Sequence, residues 1–230
     1  MMYWDNTYIL VLIGVVISAI ASANVSSTFK KFSAVGNARR LTAQEAAAQI
    51  LRSAGIYDVR IERIRGNLTD HYSPNEKVLR LSDSVYGSTS VAAIGVAAHE
   101  CGHAIQHAHG YGALKLRSAA VPVANIGSRL SWPLILLGLA LGYLNLARLG
   151  VFLFAFVVFF QLITLPVEFN ASNRAMRILE ESGMLGGSEL KGASKMLRAA
   201  ALTYVAALLS SMLQMLRLMV LVQRGERRNR

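Results

Sequence analysis

The chain has 230 residues, enough for one or two domains; 53% are hydrophobic, and the formal net charge is +11. Together with a positive mean hydropathy, this excludes an ordinary soluble globular protein and a charge-rich disordered one, and implies a membrane protein. The lone cysteine, Cys101, has no partner for an internal disulfide, which fits a reducing compartment.

The first apolar run extends from Tyr8 to about Ala23. It resembles a signal peptide in carrying Ala21-Ser22-Ala23, yet its leading flank holds Asp5 and no basic residue, while Lys30, Lys31, Arg39 and Arg40 follow. That charge order is the reverse of a signal peptide, so the segment reads as a retained anchor with its N-terminus outside, and Tyr3, Trp4 and Tyr8 suit an interfacial position.

A compact α/β unit is expected next. Thr42-Ala43-Gln44-Glu45 is a capping box opening a helix to about Ser53, with Gly55 as its stop. Strand-like alternation follows at residues 59–64 and 77–82, with a turn at Pro74-Asn75. A strand just upstream of the next helix could hold an extended peptide along its edge, although plain structural sheet explains each strand equally well.

The next helix carries His99-Glu100-Cys101-Gly102-His103. By chance this H-E-x-x-H pattern arises in on the order of one chain in a hundred of this length, so its context decides its meaning. The lead-in from Val91 to Ala98 is apolar and small; Ser88, Thr89 and Ser90 offer N-caps, and Gly110 and Gly112 can stop the helix. Four-residue spacing puts both imidazoles on one face, one turn apart, where they can grip one Zn²⁺, with Glu100 beside them as general base. Cys101 occupies a variable position of the motif and is assigned packing.

Catalytic zinc keeps three protein ligands and an open position. His107 and His109 lie ~6 Å and ~9 Å beyond His103 along the axis of an unbroken helix, out of reach of the same ion. Only a helix break, where Gln106 replaces the glycine of the longer H-E-x-x-H-x-x-G-x-x-H pattern, would bring His109 in. Glu168, after the apolar stretch and next to Pro166, is the other candidate. The residues alone leave two readings of it open: a carboxylate needing a dication at the edge of a membrane segment, or a helix N-terminal Glu favoured by the macrodipole.

Apolar runs at residues 132–147 and 149–167 read as a tight hairpin turning at Arg148, with Trp132 and Tyr143 at interfaces and a new helix after Pro166. A last run, 199–222, is interrupted by Arg217 and ends in a basic tail; it either crosses or lies partly in the interface, and crossing is favoured. The expected organisation is an anchor (1–28), a unit with the H-E-x-x-H helix (29–130), a transmembrane hairpin (131–167), helices carrying the third ligand (168–198), and a C-terminal helix and tail (199–230). The positive-inside rule puts 29–129 in the cytoplasm and returns Glu168 to the same face. The basic residues flank apolar segments, so attraction to anionic lipid explains them and nucleic acid is not an expected partner.

Four stretches carry a resemblance when taken together: Asp70-His71-Tyr72-Ser73-Pro74, Val78-Leu79-Arg80-Leu81-Ser82, the segment His99 to Gln106, and Pro166-Val167-Glu168-Phe169-Asn170-Ala171-Ser172-Asn173-Arg174-Ala175. With Leu202-Thr203-Tyr204-Val205-Ala206-Ala207, they resemble the YugP-like family of bacterial neutral zinc metallopeptidases over nearly the whole chain. More distantly the layout is similar to HtpX and the CAAX prenyl proteases, gluzincins in which two membrane helices separate H-E-x-x-H from a third Glu ligand.

The resemblance implies a mainly α membrane protein with about four transmembrane helices and a small cytoplasmic α/β zincin-like catalytic unit. It implies Zn²⁺ held by His99, His103 and Glu168, with Glu100 as catalytic base. The distant relatives have an Asp where this chain has Ser172. A multi-pass protein of the bacterial inner membrane, cutting peptides or membrane proteins at the bilayer surface, is the expected function. His71, Asn173, Arg174, Arg198 and Tyr204 are candidate oxyanion donors, each with an ordinary structural role as the simpler reading. A site-2-type intramembrane protease is disfavoured, because the lead-in is too short to bury the motif at mid-membrane. A catalytically idle scaffold or a metal sensor of the same fold stays open, although no ligand or base is missing.

Overall fold

A computed structural model describes residues 6–228, with side chains to Gly225. The interfacial role expected of Tyr3 and Trp4, the Asp5 flank and the end of the basic tail lie outside the described residues. Among the described residues the chain is mainly helical, with six helices and a three-stranded sheet. The elements are α1 (Tyr8–Ser33), α2 (Ala43–Ser53), β1 (Arg60–Ile64), β2 (His71–Ser73), β3 (Val78–Ser82), α3 (Val91–Ala108), α4 (Gly112–Ala140), α5 (Leu144–Glu181) and α6 (Gly187–Arg228). By length and apolarity α1, α4, α5 and α6 are each able to cross a bilayer.

Two compact units divide the chain. One comprises Met1–Ser22, Leu116–Leu165 and Leu202–Arg230; the other Ala23–Lys115 and Pro166–Ala201.

The second unit is built on local signals. Thr42 Oγ1 accepts from Glu45 N at 3.3 Å while Glu45 Oε2 accepts from Thr42 N at 2.9 Å, so α2 opens on a complete capping box. Its buried face is Ala43, Ala46, Ala47, Ile50 and Leu51, a stripe of helical period, and the chain leaves it through Gly55 at φ 71°. Burial of Ile50 and Leu51 is worth roughly 1.5–3 kcal/mol each. β1 pairs parallel with β3 and β2 antiparallel with it, giving the order β1-β3-β2. Asp70 fastens the entry of β2 to the end of β3 by accepting from Ser82 N (2.7 Å) and Oγ (2.9 Å).

The strand directly upstream of α3 is therefore the central one, with four of its five residues buried. Both its ladders are taken, and it cannot receive a peptide at an edge. Beside α3 the strand that ends the sheet is β2, tied to that helix by Tyr72 Oη and His107 Nδ1 at 2.8 Å.

Ser90 caps α3 by accepting from Ala93 N at 3.2 Å. From Val91 to Gln106 the helix is buried on nearly every side, His99 alone being partly open, and its small residues permit that enclosure. It ends with His109 as C-cap and Gly110 at φ 62°, whereas Gly112 already begins α4. The core around it takes Leu79, Leu81 and Val85, the α2 stripe, and Ala175, Leu179, Met196 and Leu197.

In the first unit the hairpin turns at residues 141–143, where Gly142 adopts φ 74°, and not at Arg148. Glycine supplies the left-handed turn without steric cost, whereas Arg148 lies inside α5 and donates to Asn145 Oδ1 at 2.9 Å. α4 starts at Gly112, twenty residues before Trp132, so the helix is longer than the apolar run that begins there. A further correction concerns Pro166: α5 continues through it without a break. The ring removes one N–H, the donor toward Leu162, and the rest of the 38-residue helix outweighs that loss. Likewise α6 is one helix from Gly187 onward, with no break near residue 199. α4 and α5 approach closely enough that a β-carbon on Gly150 would sit 2.8 Å from the Ser131 carbonyl. Ser210 Oγ donates to the Gly14 carbonyl at 2.8 Å, and the Arg217 guanidinium covers the Tyr8 ring at 4.2 Å.

Candidate metal centre

All residues of the centre belong to the second unit. His99 and His103 stand one turn apart on the enclosed helix α3, their rings 4.8 Å apart and nearly perpendicular. Glu168 comes from α5, two residues beyond the proline that does not break it. The approach of the two helices depends on Gly102, whose missing side chain faces the Ala171 carbonyl.

Glu168 Oε2 lies 3.2 Å from His99 Nε2 and 3.5 Å from His103 Nε2. All three residues offer ligand atoms within 4.8 Å of one another. Ligands at 2.0–2.1 Å on a tetrahedral zinc ion stand about 3.3 Å from each other, so the observed nitrogen–oxygen separations are those of neighbouring ligands around one ion. Two imidazole nitrogens and one carboxylate oxygen also form a donor set suited to zinc with one position left open. The residues fit the metal.

Each imidazole turns its other nitrogen outward to a polar side chain. His99 Nδ1 meets Ser172 Oγ at 3.1 Å, and His103 Nδ1 meets Gln106 Oε1 at 3.0 Å. Such outer partners set the tautomer and orientation of a ligating ring. Neither partner is marked by a motif: Gln106 stands where the longer H-E-x-x-H-x-x-G-x-x-H pattern has glycine, and Ser172 where the distant relatives have Asp. The signal is their spacing: Gln106 follows His103 by three residues and Ser172 follows Glu168 by four, each on the same helical face as that residue.

Burial shapes the electrostatics. Glu168 is 2% exposed, and His103 and Glu100 are each 8% exposed. Burial pushes the His103 imidazole down, but the Glu168 hydrogen bond and the charges of Glu100 and Glu168 outweigh it, holding its pKa above the ordinary histidine value. Cys101 is wholly buried; burial pushes its thiol far up, and its Sγ faces the Ala47 carbonyl at 3.7 Å, so it packs and does not ligate. His107 is exposed and bound to Tyr72, and His109 is the exposed C-cap, so neither joins the cluster. Of the candidate oxyanion donors, His71 bonds the Thr69 carbonyl and Arg174 bonds Asn170.

A profile of the family described as "Putative neutral zinc metallopeptidase" matches residues 7–223. The chain is also similar to the protein named "Putative membrane protease YugP" of Bacillus subtilis (strain 168), with 49% identity over 209 residues, 91% of this chain and 93% of that protein. No solved structure matches the chain.

Proposed function

We propose that this chain, which belongs to the neutral zinc metallopeptidase family, is a membrane-embedded zinc metalloendopeptidase working at the cytoplasmic face of the bacterial inner membrane. The observation that carries the reading is the convergence of His99 Nε2, His103 Nε2 and Glu168 Oε2, with Glu100 one residue from the first ligand. A zinc ion held by these three side chains would polarise a peptide carbonyl and lower the pKa of water toward ~7. Glu100 takes the proton of the attacking water on its carboxylate and hands it to the nitrogen of the leaving amine. Its burial keeps bulk water from competing for that proton.

The membrane assignment is supported by four helices able to cross a bilayer and by the name of the Bacillus relative. The cytoplasmic side is supported by Lys30, Lys31, Arg39 and Arg40 after the first of them. Substrates of this site are peptides or membrane proteins whose scissile segment reaches the bilayer surface in extended form, where β2 offers an open edge.

The test is Glu100→Gln in zinc-loaded protein assayed on an unfolded protein substrate. Hydrolysis should fall by about 10²–10⁴-fold while zinc per chain is unchanged. No turnover by zinc-loaded wild type would overturn the protease reading and leave a metal sensor of the same fold; equal turnover by wild type and variant would remove Glu100 as the base.

A further inference from the structure

The geometry points to Gln106 as a positioning residue that holds both His103 and the backbone beside Glu168 through a single buried amide. This rests on the zinc-ligand reading above and adds to it the question of which ring nitrogen is offered to the metal.

The assignment follows from a chain of donors and acceptors that begins at an unambiguous end. A guanidinium has no acceptor, so Arg174 Nε donates to Asn170 Oδ1, 2.8 Å away. That identifies the Asn170 oxygen. The group of Gln106 lying 3.0 Å from the same oxygen must then be its NH₂. The NH₂ also reaches the Val167 carbonyl, a pure acceptor, at 2.8 Å. With both amide protons spent, Gln106 Oε1 is left facing His103 Nδ1 at 3.0 Å, and an oxygen there only accepts. His103 therefore carries its proton on Nδ1, and the Nε2 lone pair is turned toward Glu168 and the metal position.

Gln106 is wholly buried, so no water can take over either of its duties. Its NH₂ grips the carbonyl of the residue just before Glu168, and its oxygen grips a ligand ring on the other helix. One side chain thus sets the relation of two of the three ligands across the α3–α5 contact. Ser172 does less, because its side-chain hydrogen bond among the described residues goes to His99 alone.

The experiment uses full-length protein in detergent, labelled with ¹⁵N-histidine and loaded with Zn²⁺, with zinc affinity read by chelator competition. In wild type the His103 ring proton should sit on Nδ1 and exchange slowly with water. Gln106→Leu should weaken zinc at least about tenfold and speed that exchange. Gln106→Glu gives back the acceptor for Nδ1–H but not the two donors, so it should bind zinc at least several-fold more tightly than Gln106→Leu. A residue that merely ties two helices together would leave Gln106→Glu no better than Gln106→Leu, because both lack the donors.

The inference is overturned if wild-type His103 binds zinc through Nδ1, if Gln106→Leu keeps its affinity within twofold, or if Gln106→Glu shows no recovery. Should Gln106→Leu fail to fold, the wild-type ring proton still decides. Wild type that takes up no zinc sinks the metallopeptidase reading itself; zinc uptake indifferent to residue 106 sinks only this one.

Discussion

Gly102 lies so close to the backbone of Ala171 that a β-carbon on it would stand 2.6 Å from the Ala171 carbonyl oxygen. That contact is what lets α5 bring Glu168 to the imidazoles of α3. Gly102→Ala should force the helices apart, costing roughly 1–3 kcal/mol of stability. Glu168 would be withdrawn with α5, so zinc per chain should fall well below one. Gly95→Ala is the control, because its added carbon would meet the Ala193 side chain at an ordinary 3.4 Å. Thermal melts and metal content of the two variants check this; equal zinc in both would show that the close approach is not what positions Glu168.

Ser172 Oγ stands at 3.1 Å from His99 Nδ1 as Gln106 Oε1 stands at 3.0 Å from His103 Nδ1, and with zinc held on Nε2 the His99 ring would donate to it. Ser172→Ala leaves His99 Nδ1 without its partner and should weaken zinc by about 10–100-fold, the range for loss of such an outer contact. Ser172→Thr keeps the hydroxyl and should stay within a few-fold of wild type. Chelator competition on the three proteins reads the difference.

Much of this centre could be read from the sequence, and the part that could not has a common cause. The capping box at Thr42 and Glu45, the Ser90 cap and the alternation in β1 and β3 are local signals, each decided by residues within four positions. β2 has three residues, too few to show alternation, and exists because His71, Tyr72 and Ser73 find Arg80, Leu79 and Val78 across the sheet. The same long-range pairing put β3 in the centre, a placement invisible in its own hydrophobic pattern. At Pro166 the local rule spoke for a break, and a long helix with many satisfied turns overrode one lost donor. Glu168 shows the limit most clearly. Its charge next to an apolar run announced a need for a partner, but the partner is fixed by the close passage of α3 and α5 at Gly102.

The choice between third ligands is settled by metal counting. Glu168→Ala removes the oxygen 3.2 Å and 3.5 Å from the two ring nitrogens and should reduce bound zinc to a small fraction per chain. His109→Ala alters an exposed helix cap and should leave the metal in place. His107→Ala should also retain zinc, while freeing the Tyr72 hydroxyl and loosening β2 from α3. Zinc loss in His109→Ala with retention in Glu168→Ala would reverse the assignment.

Zinc uptake should depend on pH in a direction set by His103. In metal-free protein its folded pKa stands above the 6.5 of an ordinary histidine, because Glu168 and Glu100 favour the charged ring over the opposing effect of burial. Its contribution to stability is therefore fully present below the unfolded value and is lost as pH rises through the raised one. A zinc ligand must be deprotonated, so metal and proton compete for the same Nε2. Apparent zinc affinity should climb by about tenfold per pH unit where this single proton is released, and level off above the raised pKa. The gap in melting temperature between zinc-loaded and zinc-free protein should widen from pH 6 to pH 8 for the same reason. Glu168→Gln removes one of the charges that hold the pKa up, so the melting temperature of the metal-free variant should start to lose the His103 contribution at lower pH than wild type. Parallel pH profiles for the two metal-free proteins would show that Glu168 does not govern the protonation of His103.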